Sequence, residues 1–227
     1  MNYFKQGIMP WNWAPKNTEV LWSGVDNIKN FNTNPKKQFW ENIELSYKYN
    51  QYGFRYDNFD NYLNKLVDIA VGCSFVEGVG MPAESIWPSL IEQRTKIPCL
   101  NFGVGGGSTD TVARVITNIA SLFKIRTVYV LWPNLERFEI YNDVIEIITP
   151  MNSKIEYIWS CEPTHSNNRF FKNQYMLQLL SKEHQFNLVE RNVSTFLLNQ
   201  FDTGRDNAHF GFETHKTLAE SFLTGNG

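Results

Sequence analysis

No apolar run in this chain approaches the roughly 20 residues needed to cross a bilayer, so a membrane-spanning helix is not expected. Basic residues are not in excess: 21 Lys and Arg stand against 23 Asp and Glu, a formal net charge of −2. That leaves no electrostatic footprint for nucleic acid and no polybasic surface for a membrane. Cysteine is scarce, and Cys73, Cys99 and Cys161 make no disulfide framework. Cys73 and Cys99 end neighbouring expected strands and read as small buried hydrophobes. There is no Cys-x-x-Cys, no His-Glu-x-x-His and no Gly-x-x-x-x-Gly-Lys-Ser/Thr, so neither a metal nor a cofactor is expected. Of the four histidines, His165 and His184 stand alone and read as surface residues, and His215 falls in or near the last expected helix. Met1-Asn2-Tyr3-Phe4-Lys5-Gln6 does not read as a signal peptide. The expectation is synthesis in a reducing cytoplasm, with a particle-associated or non-classically released protein left open.

What is present is apolar material enough for one substantial core: 42% hydrophobic residues over 227 positions, too few residues for a second full domain to be expected. Three short apolar runs, 67–71, 98–102 and 127–131, each end in a loop rich in small or amide residues. Helical patterns separate them at 84–96 and at 110–123, where Val112, Val115, Ile116, Ile119 and Leu122 recur at helix spacing. Further on, 154–159 reads as a fourth strand, 169–184 as a helix, 186–190 as a short fifth strand and 213–223 as the last helix. Strands alternating with helices predict a parallel sheet in a three-layer α/β/α sandwich. In such a sheet the strand C-terminal ends face one rim, where ligands bind.

That rim collects residues with a chemistry in common. The first loop opens Gly72-Cys73-Ser74, and a Ser hydroxyl needs a base, itself oriented by a third group, to act as a nucleophile. Asp206-Asn207-Ala208-His209 supplies both, because a carboxylate three residues before a His places the two on one turn. Taken alone, a Ser after a strand is commonly a cap and an Asp-x-x-His a surface turn. Other motifs fail. The Gly-x-Ser-x-Gly elbow breaks at Val76, and Gly78-Val79-Gly80-Met81-Pro82-Ala83 starts too far past its strand for a dinucleotide fingerprint. Glu77 and Glu162 border the expected cleft, with solvated or helix-capping roles favoured. Gly105-Gly106-Gly107 also reads as a strand-to-helix connection, with Ser108 or Thr109 capping the next helix.

The blocks taken together resemble the SGNH (GDSL-like) hydrolases. Gly72-Cys73-Ser74-Phe75 looks like the first block, with Cys73 where many members carry Asp. Asn101-Phe102-Gly103-Val104-Gly105-Gly106 is similar to the second, and Trp132-Pro133-Asn134 stands where the third has Gly-x-Asn. Asp206-Asn207-Ala208-His209 matches the last, and the resemblance covers residues 66–224. It implies a flavodoxin-like five-stranded sheet of order 2-1-3-4-5. It also implies Ser74, His209 and Asp206 as a triad, and an oxyanion hole from Ser74 N–H, Gly106 N–H and the Asn134 amide. The activity expected is hydrolysis of a small-molecule or glycan ester, with O-acetyl carbohydrate esters favoured. The alternative is a non-catalytic member that binds glycan or sits on a particle surface.

Residues 1–62 differ from the α/β domain expected over 63–227. Trp11, Trp13, Trp22, Trp40, Tyr47, Tyr49, Tyr52, Phe54, Tyr56, Phe59 and Tyr62 are interleaved with Asn, Lys and Pro, without a repeat. Such a segment is too aromatic for a disordered tail. Covering the sheet is the favoured reading, and a sugar-binding platform beside the cleft is the sharper one. Arg55 is expected to pair with an acid in the cleft wall.

Overall fold

The computed structural model describes residues 15–141, 145–148, 162–199 and 201–225. Its centre is a four-stranded parallel sheet of β3 (Leu66–Gly72), β4 (Cys99–Gly103), β5 (Lys124–Trp132) and β8 (Asn187–Asn192), in the order β4-β3-β5-β8. Two antiparallel pairs lie outside it: β1 (Thr18–Val20) with β2 (Tyr47–Tyr49), and β6 (Phe138–Tyr141) with β7 (Ile145–Ile148). The helices are α1 (Ile28–Thr33), α2 (Lys37–Trp40), α3 (Ser74–Glu77), α4 (Trp87–Thr95), α5 (Thr109–Ile119), α6 (Pro163–His184), α7 (Val193–Leu198) and α8 (Phe212–Thr224). This is an α/β fold in which helices flank a parallel sheet.

Every residue of β3 after Leu66 is buried, as expected of a strand covered on both faces. Alternation then divides the core. Val67, Ile69 and Val71 meet α5 through Val112, Val115, Ile116 and Ile119, and the same face takes Leu177 of α6. Ala70, Tyr129 and Leu131 face the other way, against Trp87 and Ile91 of α4 and Leu218, Ala219 and Phe222 of α8. Helix α5 starts on a capping box, in which Ser108 Oγ accepts the Thr111 N–H and Thr111 Oγ1 accepts the Ser108 N–H. Such a cap is worth about 1 kcal/mol. The expected helix ran to residue 123, but regular helix ends at Ile119 and a turn carries Phe123 into the core.

The strand order departs from the expected 2-1-3-4-5. Both edges of β5 are occupied, one by β3 and the other directly by β8 from Thr127↔Asn187 to Trp132↔Asn192. The place beside β5 that the order assigns to 154–159 is therefore taken by β8. Residues 154–159 and Cys161 lie outside the described residues.

Much of the aromatic N-terminal segment is buried. Phe54 and Phe59 join the larger core cluster, and the Phe59 ring stacks on Phe102 with centroids 4.2 Å apart. Trp40, Tyr47 and Tyr49 are buried as well, so these rings cover the protein instead of presenting an open platform. Tyr56 Oη donates to Glu92 at 2.8 Å, fastening the segment to α4. Among the described residues, no helix is long and apolar enough to cross a membrane.

Candidate active site

Three strands end level with one another: Gly72 of β3 pairs with Gly103 of β4 on one side and Leu131 of β5 on the other. The loops that follow leave from one rim and carry Ser74, Gly106 and Asn134. Ser74 opens α3, a single turn that Gly78 ends in the left-handed conformation, so the hydroxyl stands at the rim directly after the strand.

The His comes from the other end of the chain. Residues 203–210 form a closed loop, bridged by Thr203↔Phe210 and by Gly204 N–H donating to His209 O at 2.9 Å. Asn207 takes the left-handed conformation at its tip, which Asn tolerates better than most residues. Asp202 anchors the loop to α8 by accepting the Glu213 and Thr214 N–H groups. His209 Nε2 lies 2.7 Å from Ser74 Oγ, and His209 Nδ1 lies 2.5 Å from Asp206 Oδ2. The other carboxylate oxygen, Oδ1, accepts the backbone N–H of Ala208 and of His209. Both oxygens of Asp206 are thereby fixed. The Phe75 ring packs against the imidazole at 4.7 Å and limits its rotation. All three polar side chains are buried; Ser74, 8% exposed, and His209, 9% exposed, keep a narrow face toward solvent, while the Asp206 carboxylate has none.

The electrostatics follow from this packing. Burial alone would raise the Asp206 carboxyl, but the hydrogen bond and charge of His209, with the two backbone donors, hold it below its ordinary value. Glu77 is the opposite case. Its carboxyl is raised by burial, against lowering contributions from the Tyr49 hydroxyl, Arg55, His209 and the Gly105 backbone. The expected solvated or capping role for Glu77 is thus corrected: it is a buried carboxyl coupled to the imidazole through charge, taking a 2.7 Å hydrogen bond from Tyr49 Oη. Glu162 does cap a helix, its carboxylate accepting the His165 N–H at the start of α6. Arg55 is also corrected. It donates to main-chain carbonyls of Gly78, Met81 and Ser46 at 2.6–2.8 Å and to Glu77 O at 3.4 Å, while the Glu77 carboxyl acts on it through charge.

Gly106 and Asn134 share the rim without joining the hydrogen-bonded chain. Gly106 has φ of +73°, where a side chain is strained, and a Cβ there would meet open space. Asn134 lines a cavity of about 310 Å³ with Phe170, Phe171, Asn167, Asn192 and Ser194. Its loop is held by Arg169, which donates to Leu135 O, and by Arg137, which reaches Gly107 O. Trp132, standing where a Gly was expected, faces the core, with its ring edge-on to Phe170 and its Nε1–H donating to Glu190. Cys73 and Cys99 are buried free thiols. Among the described residues, no group of three or more His, Cys, Asp or Glu is placed to hold a metal ion.

No family model matches the chain, and no curated protein matches it in sequence. Solved structures give a distant likeness. One is described as a lipolytic protein of the G-D-S-L family from Desulfitobacterium hafniense DCB-2, at 16% identity and TM-score 0.34, covering 67% of this chain and 95% of its own. Another is an acetyl xylan esterase, AlAXEase, at 8% identity and TM-score 0.38, covering 71% and 100%. Likeness this slight transfers no residue role and no activity.

Sequence reasoning did not single out Asp26, Tyr47 or Arg205 as neighbours of the site. Their only sequence signal was membership of a polar, aromatic stretch and a position next to Asp206.

Proposed function

We propose that this chain is a serine esterase of the SGNH type. Ser74 Oγ attacks the ester carbonyl carbon while His209 Nε2 takes the hydroxyl proton. The imidazolium, held by Asp206, then gives that proton to the departing alkoxide. Water, deprotonated by the same nitrogen, attacks the acyl carbon; the bond to Ser74 Oγ breaks, the acid leaves and His209 returns the proton to Oγ. The developing oxyanion is assigned to the Ser74 and Gly106 backbone N–H groups and the Asn134 amide.

The single observation that carries this reading is the continuous hydrogen-bonded chain Ser74 Oγ, His209 Nε2, His209 Nδ1, Asp206 Oδ2, at 2.7 and 2.5 Å. A small acyl group on a carbohydrate is the favoured substrate. The cavity beside Asn134 supports it, because Phe170 and Phe171 offer apolar faces while Asn167, Asn192 and Ser194 offer hydrogen bonds, the mixture a sugar ring needs.

The test is exposure of the full chain to a fluorophosphonate probe, then a screen of p-nitrophenyl esters of graded chain length and of acetylated glycans. Labelling confined to Ser74, with acetyl esters turned over fastest, is expected. An inert Ser74 would leave a chain that keeps the site's shape without its chemistry, as a glycan-binding protein would.

A further inference from the structure

The segment ahead of β3 supplies no member of the triad, yet it grips the loops that carry both halves. Asp26 is fully buried, and its carboxylate takes three hydrogen bonds from the Arg205 guanidinium, the shortest 2.7 Å. Arg205 immediately precedes Asp206, and its guanidinium lies 4.0 Å from the centre of the Trp22 ring. The second oxygen of Asp26 also accepts from Tyr47 Oη at 2.5 Å. Tyr47 Oη in turn accepts the Gly80 N–H at 2.8 Å, on the loop that leads away from Ser74.

Gly80 is where the two loops touch. Its carbonyl accepts the Arg205 N–H at 2.8 Å, and a Cβ on Gly80 would fall 2.8 Å from Asp206 Oδ1. Two further contacts reinforce the grip. Asn34 Nδ2 donates to Gly204 O and Arg205 O, and Arg55 holds Gly78 O and Met81 O.

Apolar side chains would fill this space at lower desolvation cost, whereas a buried ion pair with directional bonds to two loops fixes their relative position. We propose that Asp26 is a positioning residue: through Arg205 and Tyr47 it braces the Ser74 turn against the Asp206–His209 turn and sets the distance between nucleophile and base. This rests on reading Ser74 as the nucleophile and His209 as its base. A displacement of about 1 Å at such a pair costs on the order of 10² in rate.

The experiment compares the wild-type chain with Asp26→Asn, Tyr47→Phe, Asp206→Asn and Asp26→Asn/Asp206→Asn. Each is followed by fluorophosphonate labelling rate, kcat and KM on p-nitrophenyl acetate, and thermal melting. The expected result is a fall in kcat of about 10- to 100-fold in Asp26→Asn with KM within about threefold. Tyr47→Phe, which keeps the ring and loses the hydroxyl that joins Asp26 to Gly80, shows a smaller fall in the same direction because the Asp26–Arg205 pair remains. In the Asp206→Asn background the Asp26 effect shrinks to under about threefold, because the group it positions is already gone.

A folded Asp26→Asn with wild-type kcat overturns the brace, as does an equal loss in both backgrounds. If Asp26→Asn does not fold, Tyr47→Phe decides, and wild-type kcat there overturns it. A wild type inert to probe and ester alike sinks the esterase reading itself, an outcome distinct from reactive variants.

Discussion

Asp206 holds His209 at two points: Oδ2 lies 2.5 Å from the ring Nδ1, and Oδ1 accepts the backbone N–H of the same residue at 3.1 Å. The second contact fixes the loop; the first decides which ring nitrogen carries the proton. Asp206→Asn can keep the amide oxygen on the backbone donors, but then presents an NH₂ group to Nδ1. The tautomer with Nε2–H is then favoured, and it cannot accept the Ser74 proton. The expected result is a fold close to wild type with kcat lowered on the order of 10³ or more, read by ester hydrolysis and circular dichroism. Loss of less than about tenfold would mean that another group orients the imidazole.

Ser74→Ala and His209→Ala are each expected to remove nearly all esterase activity, since nucleophile and base act as one unit. The double variant should then be little worse than either single one. Losses that add in log rate would count against the 2.7 Å contact between them as the working element.

Asn134→Ala tests the oxyanion hole. The amide is asked to help chiefly when charge develops, so kcat should fall by on the order of 10² with KM little changed. A near-wild-type kcat would leave the backbone N–H groups as the whole hole. A rise in KM alone would assign Asn134 to substrate binding in the neighbouring cavity.

The parts of this molecule legible in its sequence are those with local signatures. The apolar runs that became β3, β4 and β5 were bounded by glycine and amide loops, and the Ser and His blocks lay at the ends of such elements. Ser108 announced its helix by position alone. What was hidden depends on distant partners. The Asp26–Arg205 pair joins residues 179 positions apart, and nothing near either one signals the other. Glu77 read as solvated because charge normally is; its burial is set by Tyr49 and the packing of α3 on β4. Trp132 looked like a flaw in a motif, but strand alternation puts Leu131 and Trp132 on opposite faces, and the indole belongs to the core. The order of the sheet past β5 was taken from resemblance, and direct pairing with β8 departs from it.

Glu77→Gln should reveal the cost of a buried carboxyl. Because the folded-state pKa is raised, the folded protein binds more protons than the unfolded chain above the ordinary value, so stability falls as pH rises through the folded pKa. Gln keeps an acceptor for Tyr49 and cannot ionise. Its melting temperature should therefore exceed that of wild type at pH 8, with the advantage gone near pH 4.5. A difference independent of pH would show that Glu77 binds its proton no more tightly in the fold than in the unfolded chain, and the raised carboxyl would be wrong.

His215 gives the acid side of the profile. It is 1% exposed in α8, its Nδ1 accepts the Trp87 N–H at 3.2 Å, and its Nε2 has no partner among the described residues. Protonation would put a hydrogen on the nitrogen that is accepting one, inside the core. Burial, with lesser contributions from His209 and Arg55, therefore pushes the imidazole down from 6.5 to about 3. Between those values the unfolded chain binds a proton that the folded protein refuses. This contribution to stability is complete above about pH 6.5 and is lost progressively as pH falls toward 3. The slope from one such group is up to roughly 1.4 kcal/mol per pH unit. The Asp206 carboxyl, whose folded pKa is depressed, adds its own loss only below its ordinary value of 3.8, so the window from pH 4 to 6 isolates the histidine from it. His215→Asn keeps a side-chain acceptor for Trp87 without a titrating group. Urea unfolding at pH 4, 5, 6 and 7 should show a steeper fall in wild type than in His215→Asn, with the two converging in slope above pH 6.5. Parallel curves across that range would mean that His215 takes up its proton as readily in the fold as in the unfolded chain, and the Trp87 contact would have to be redrawn.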